Sequence, residues 1–237
     1  MKSNQSIAVI IPTLNEFENI QVLIPALLSC NNSNHISIYI VDSPRSKDGL
    51  GAYVKTLNLP EISYLISEKG GRSYQLNCGA MHSEEEVLMF LHADVLPPIG
   101  YNDLIIDALE EHEAGFFSYN FNPSNFWLNI NSFFTSFDGV FSGGGDQIHF
   151  IKRNIFNRLG GYDESYHLME DFEFFERWKK NNVPYTIIQK RASVSSRKYC
   201  NNSWLRVNLI NLYIFTLYKL KTHPERLKKK YTSLIRN

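Results

Sequence analysis

The chain reads as a doubly wound α/β fold with a mostly parallel central sheet flanked by helices, and three observations carry that reading. Over the first hundred residues one pattern recurs at intervals of a little under thirty: a short apolar run, a polar turn, then a helix-like segment. The apolar runs, at 7–11, 36–41, 62–66 and 87–91, are rich in Ile and Val and do not alternate strictly, as expected of strands buried on both faces of a parallel sheet. Oxygen-bearing side chains follow every run, and the carboxyl ends of the strands are where doubly wound sheets bind ligands.

Composition supports one packed domain. With 237 residues, 43% of them hydrophobic, 20% charged, and only 13 Gly and 9 Pro, the chain is neither disordered nor fibrous. Its 24 Lys+Arg balance 24 Asp+Glu, which argues against whole-molecule attraction to nucleic acid while leaving a local basic patch open, and no nucleic-acid partner is expected. Cys30, Cys78 and Cys200 have no metal-site or disulfide-framework spacing and fit a reducing compartment. No leader is visible before the first apolar run, and no run reaches the roughly 18 apolar residues of a spanning helix. A cytoplasmic protein is the expectation.

Between the first two strands, Ile20, Leu23, Ile24, Leu27 and Leu28 form an apolar face at helical spacing, with Pro25 expected to kink it. The first strand leads into Pro12-Thr13-Leu14-Asn15-Glu16, the second into Asp42, the third into Ser67-Glu68 and the fourth into His92-Ala93-Asp94. A dinucleotide-binding dehydrogenase would carry G-x-G-x-x-G after its first strand, and none is present. Asp42 suits an acceptor for a base or ribose. Asp94 suits a hard divalent cation that completes its shell with diphosphate oxygens. For each acid taken singly, a helix cap or turn is the competing role.

The ordered set of Pro12-Thr13-Leu14-Asn15-Glu16, Val41-Asp42, Phe90-Leu91-His92-Ala93-Asp94 and Leu168-Met169-Glu170-Asp171 resembles family-two glycosyltransferases with the GT-A fold over residues 6 to about 200. Further segments, Gly71 to Asn77, Gly145-Asp146-Gln147 and His223 to Leu227, resemble a bacterial subgroup of that family. The resemblance implies a Rossmann-like GT-A (nucleotide-diphospho-sugar transferase) sheet with C-terminal helices. It implies a nucleotide pocket lined by Pro12, Leu14, Asn15, Glu16, Asp42, Arg72 and His92. Asp94 would bind Mg2+ or Mn2+, Gly145, Asp146 and Gln147 would contact the acceptor, and Asp171, beside Glu170, would be the catalytic base. His92 stands where the family's D-x-D motif has its first acid, leaving Asp94 nearly alone as metal ligand. The turn from Asp42 to Gly49 also departs from the family's small-residue turn.

From Gly115 onward the alternation is expected to give way to a loop-rich aromatic segment, with Phe116, Phe117, Phe121, Phe126, Trp127, Phe133, Phe134, Phe137 and Phe141 mostly in the core. Gly143-Gly144-Gly145 offers either close backbone approach to a ligand or a flexible loop. Phe172, Phe174, Phe175 and Trp178 fit a helix opened by Glu170 and Asp171, whose position there also fits an acidic first turn. The chain therefore divides into a transferase domain over 1–200, with a nucleotide-sugar half at 1–114 and an acceptor half at 115–200, and a C-terminal segment over 201–237. In that segment residues 204–220 are apolar almost all round a helix, and residues 219–230 carry a net charge of +5. Such a pair fits peripheral contact with an anionic membrane, or a docked core helix followed by a solvated tail.

The expected activity is transfer of a sugar from a nucleotide-diphosphate donor to a hydroxyl of a glycan, lipid or small molecule, with inversion. The alternatives are a nucleotidyltransferase, which would need a Gly-rich basic loop in place of Pro12-Thr13-Leu14-Asn15, and a non-catalytic sugar-nucleotide-binding protein on the same fold.

Overall fold

The computed structural model describes residues 5–29, 35–139, 142–144 and 146–235. Its first half is a run of βα units: β1 (Ile7–Thr13), α1 (Phe17–Leu28), β2 (Ile36–Asp42), α2 (Leu50–Leu57), β3 (Ile62–Ile66), α3 (Arg72–His82) and β4 (Val87–Phe90). After β5 (Val95–Leu96) and α4 (Tyr101–Glu111) come β6 (Ala114–Asn122), α5 (Phe126–Phe134), β7 (His149–Lys152), α6 (Arg153–Leu159), α7 (Glu170–Lys180) and β8 (Tyr185–Ser195). A 3-10 turn (Arg197–Tyr199), α8 (Trp204–Lys219) and α9 (Pro224–Leu234) end the described chain.

The strands form one curled, mostly parallel sheet in the order β3-β2-β1-β4-β7-β6-β8-β5. β1 pairs in parallel with β2 and β4, whereas β7 runs antiparallel between β4 and β6. The absence of strict alternation in the Ile/Val runs has its reason in β1. Ile7, Val9 and Ile11 face a layer with Leu23 and Leu27 of α1 and Ile105 of α4, while Ala8 and Ile10 face Leu76 of α3 and Phe174 and Trp178 of α7. Both faces are dry, and each fully buried Ile contributes about 1.5–3 kcal/mol. β3 differs from expectation because it is the sheet edge, so its residues are half-buried or exposed. α1 runs through Pro25 to Leu28.

The second half is more ordered than its composition suggested. Residues 114–122 form a nine-residue strand whose Phe116, Phe117 and Phe121 enter the core. Phe126, Trp127, Phe133 and Phe134 are exposed instead, because α5 lies on the surface, and Phe137 is exposed in the turn after it; Phe141 is outside the described residues. The glycine segment serves packing rather than looseness: a Cβ on Gly143, at φ +81°, would lie 2.3 Å from the Phe175 ring, and one on Gly144 would lie 3.1 Å from Phe172. Backbone is thereby laid directly on α7. α8 is two-faced, burying Val207, Ile210, Ile214, Phe215 and Tyr218 and exposing Leu205, Leu209 and Leu212. Among the described residues no helix is long and apolar enough to cross a membrane.

Candidate active site

The parallel register sets Thr13 beside Asp42 at the carboxyl edge of the sheet. Thr13 Oγ1 donates to Asp42 Oδ1 at 2.9 Å, the Ser43 amide donates to the same oxygen at 3.0 Å, and Tyr64 of β3 donates to Oδ2 at 2.7 Å. Asp42 is buried, and three of its roughly four acceptor positions are taken. It clamps three strand ends together. Gln75 of α3 reinforces the clamp, donating to the carbonyls of Thr13 at 2.8 Å and Val41 at 2.7 Å.

Beyond β1 the chain turns through Asn15 at φ 56°, a left-handed conformation that Asn tolerates. Asn15 Oδ1 accepts from the Lys47 amide at 2.8 Å, and its own amide donates to Ser46 Oγ at 3.0 Å. The Asp48 carboxylate accepts from the Phe17 amide at 2.8 Å and the Leu50 amide at 3.2 Å, serving the starts of α1 and α2 together. The unusual turn after β2 is thus fastened to the loop after β1. Pro12 and Glu16 are half-buried on this rim, and Leu14 is exposed.

On the far side of β1, the chain leaving β4 carries His92 and Asp94. Asp94 Oδ2 lies 3.6 Å from Arg197 Nη2, which lies equally 3.6 Å from Glu16 Oε1. Arg197 therefore spans the mouth between two strand ends. The next residue, Lys198, places Nζ 2.9 Å from Asp146 Oδ2. Burial, then the Asp146 charge, raise the Asp94 carboxyl above its usual range against the pull of Arg197. Burial acts the same way on Asp146, but Lys198, His92 and Arg72 outweigh it and hold that carboxyl low.

α7 opens the third side. Met169, at φ 68°, adopts a conformation costly for a non-glycine residue immediately before Glu170 and Asp171. Glu170 Oε1 accepts from Arg72 Nη1 at 2.8 Å, while the buried Oε2 has no partner. Asp171 is buried, and among the described residues no hydrogen bond reaches its carboxylate. His92 Nε2 stands 3.9 Å from Asp171 Oδ2. Burial first, then Glu170, raise the Asp171 carboxyl well above its usual range, with Arg72 opposing. Burial and Arg72 push the His92 imidazole down to about 3. His92 is therefore a neutral neighbour of the carboxylate at ordinary pH.

Most of the residues singled out in the sequence meet at this edge: Glu16, Asp42, Arg72, His92, Asp94, Asp146, Glu170 and Asp171. Gln147 does not present its side chain to the cleft. It is buried, its Oε1 accepts from the Gly143 amide at 2.7 Å, and its Nε2 donates to the Thr135 carbonyl at 3.1 Å, so it braces the loop. Gly145 lies outside the described residues. Arg197, Lys198, Tyr64 and Gln75 were missed. A weak signal for the first two was available, because they come just after β8, with one residue between Ser195 and Arg197, as the acids come after β1 to β4.

Among the described residues no three His, Cys, Asp or Glu side chains group to hold a metal. The single carboxylate of Asp94 nevertheless fits a hard cation of the Mg2+ kind, which commonly takes one or two carboxylates and completes its shell with phosphate and water. A depression of about 420 Å3 lined by Gln5, Glu84, Glu86, Lys152 and Arg153 lies at the opposite, amino end of β4. There Arg153 is committed to the Ala80 carbonyl and Ser83.

The fold is an α/β domain of the GT-A type, with a polar cleft at the strand ends. The family model for Glycosyl transferase family 2 matches residues 8–164, and that for Glycosyltransferase like family 2 matches residues 95–234. The chain belongs to glycosyl transferase family 2. Among solved structures it is similar to the mannosyltransferase PcManGT from Pyrobaculum calidifontis in complex with GDP-Man and Mn2+, at 17% identity and a TM-score of 0.65, covering 95% of this chain and 68% of that one. It is also similar to S. aureus TarS 1-349, at 14% identity and TM-score 0.65, covering 90% and 65% of the two chains. For TarS in complex with UDP-GlcNAc the identity is 15%, the TM-score 0.65 and the coverage 81% and 59%. At these identities the likeness concerns the fold. No curated protein matches the chain.

Proposed function

We propose that this chain transfers a sugar from a nucleotide-diphosphate donor to an acceptor hydroxyl by a single displacement that inverts the anomeric carbon, with Asp171 as the base. One observation carries the reading. Asp171 is a buried carboxylate with no hydrogen-bond donor among the described residues, beside Glu170 and at the edge of a nucleotide-type rim. Burial and like charge make it a stronger base than a solvated Asp.

The donor's nucleoside lies along Pro12, Leu14, Asn15 and Asp42, and its diphosphate faces Arg72 and Arg197, whose guanidinium groups suit paired phosphate oxygens. The acceptor enters from the side of Asp146 and α7. As its hydroxyl oxygen bonds to the anomeric carbon, the bond from that carbon to the diphosphate oxygen breaks, and the hydroxyl proton passes to an Asp171 oxygen. Neutral His92 and the Arg72–Glu170 pair fix the surroundings of that carboxylate. Mg2+ or Mn2+ would be held by Asp94, and when bound it neutralises charge on the diphosphate. The Mn2+ of PcManGT and the GDP-Man and UDP-GlcNAc of the neighbours support this class of donor and cofactor.

A thermal-shift screen of GDP- and UDP-sugars with Mg2+ or Mn2+ identifies the donor, since a ligand at a hundred times its Kd adds about 2.7 kcal/mol. Donor turnover with that ligand, measured as release of nucleoside diphosphate, then tests the enzyme. Binding without any turnover, in the presence of varied acceptor hydroxyls, would favour a sugar-nucleotide-binding protein instead.

A further inference from the structure

α5 and α8 lie side by side on the surface. Trp127 packs on Trp204 with ring centroids 5.0 Å apart, and one turn further along Asn131 donates to Asn208 at 3.2 Å. Phe126, Trp127, Phe133 and Phe134 on α5 and Leu209 and Leu212 on α8 are each at least 50% exposed. No charged residue occurs over 123–137, and Arg206 alone is charged over 204–218. Single exposed apolar side chains are ordinary, but a two-helix group of this kind marks an interaction surface.

The border of the group is basic. α9 folds back along α8, with Arg206 donating to the Leu234 carbonyl at 2.7 Å and Lys230 Nζ meeting Tyr213 Oη at 3.2 Å. Tyr213 shares the outer face of α8 with Leu209 and Leu212, so Lys230 stands beside the apolar rows, with Lys228 and Lys229 exposed on the same helix. A two-fold contact between copies sets each border against itself or its neighbours, which these lysines oppose. An anionic bilayer surface satisfies both parts: Trp, Phe and Tyr settle at headgroup depth while ammonium groups meet lipid phosphate.

We propose that the face of α5 and α8, bordered by α9, docks this protein on anionic lipid membrane. The surface adjoins the cleft, because Asn131 of α5 also donates to the Tyr199 hydroxyl at 3.4 Å, next to Lys198. Docking therefore holds the mouth of the site close to the bilayer. The inference is independent of the transfer reaction.

The test is co-sedimentation of the full chain with vesicles of phosphatidylglycerol and phosphatidylcholine, compared with pure phosphatidylcholine, at low and high salt. Binding to the anionic vesicles, release by salt and quenching of Trp127 emission by brominated lipid are expected. Changing Lys228, Lys229 and Lys230 to Gln together lowers the partition coefficient about a hundredfold, at about 1 kcal/mol per lysine. Leu212→Ser with Phe134→Ser weakens binding as well and leaves the unfolding temperature unchanged, since both side chains are already exposed. Three results would overturn the proposal: no vesicle binding at low salt, equal binding to charged and neutral vesicles, or self-association in velocity sedimentation that the Leu212→Ser and Phe134→Ser changes abolish.

Discussion

Asp42 and Asp171 are both buried aspartates at the same edge of the sheet, and their surroundings are opposite. Asp42 receives three hydrogen bonds, from Thr13, Ser43 and Tyr64, and joins three strands. Asp171 receives none among the described residues, and its nearest ionisable neighbours include another carboxylate, Glu170. The first arrangement fills most of the carboxylate's acceptor positions and ties β1, β2 and β3 together. The second offers no donor among the described residues, and burial with Glu170 disfavours the ionised form, an arrangement that folding alone does not favour and that a proton-accepting step can use. In the proposed function the rim acids thus divide into those that hold the cleft and the one that would react.

The strongest way to break that division is Asp171→Asn. The change keeps the shape and removes the basic oxygen, so turnover should fall about 10²- to 10⁴-fold while donor affinity stays within a factor of a few. Steady-state kinetics on the identified donor, with the stereochemistry of the product, checks both points. Near-normal turnover, or a product that retains the donor's anomeric configuration, would remove Asp171 as base of a single displacement.

A second expectation extends the contrast to the two histidines on this side of the sheet. His149, on β7, is buried against Phe116 and Trp178, and burial pushes its imidazole down to about 3, as burial and Arg72 do for His92. Both fold as neutral rings. The unfolded chain binds their protons below about 6.5, so their contribution is intact above that pH and is lost as the pH falls toward about 3. Each histidine adds a slope of up to about 1.4 kcal/mol per pH unit. His149→Phe should flatten the acid limb of a denaturation series between these limits; an unchanged slope would show that the ring does not titrate with unfolding.

Smaller again is the effect expected of Arg197, which rests between Glu16 and Asp94 and is mostly exposed. If its guanidinium turns to the diphosphate, Arg197→Ala should weaken nucleoside diphosphate binding about 10- to 100-fold, from about 1.5–3 kcal/mol for a charged hydrogen bond. Nucleoside monophosphate should lose less. Equal losses for the two ligands, by calorimetry, would assign Arg197 to the rim and not to the leaving group.

The first half of the sheet was legible in the sequence because its signals are local. Ile/Val runs locate β1 to β4 nearly to the residue, and whatever follows a strand in a doubly wound sheet falls at the cleft. The spacing of Phe174, Phe175 and Trp178 likewise gives α7. What escaped reading depends on distant parts of the chain. Arg197 meets Asp94 only because β8 pairs antiparallel with β5, setting Val194 opposite Val95 with the Ser195 amide donating to the Asp94 carbonyl at 3.1 Å, and Tyr64 reaches Asp42 only through the register of β2 and β3. The aromatic stretch misled for a related reason, since Phe and Trp mark buried area without saying which element leaves the core. Residues 114–122 became a strand and 126–134 a surface helix.

The last expectation concerns stability and sets the two aspartates against each other directly. For Asp171 the folded-state pKa is raised by burial and by Glu170, so its contribution to stability is fully present below the unfolded value of about 3.9 and is lost as the pH rises through the folded value. Above the unfolded value the unfolded chain ionises this group freely, while burial and Glu170 disfavour its ionised form in the folded chain. Asp171→Asn should therefore raise the unfolding temperature there, by about 2–4 °C for each kcal/mol relieved, and flatten its pH dependence. Asp42→Asn should lower the unfolding temperature, because an amide nitrogen opposes donors where the carboxylate accepted them. Thermal unfolding of both variants across pH measures the pair at once. If both lose stability, Asp171 is held by favourable contacts after all, and the division between holding and reacting acids fails; if they move in opposite directions, the most destabilising carboxylate of the rim is also the one that the transfer reaction needs.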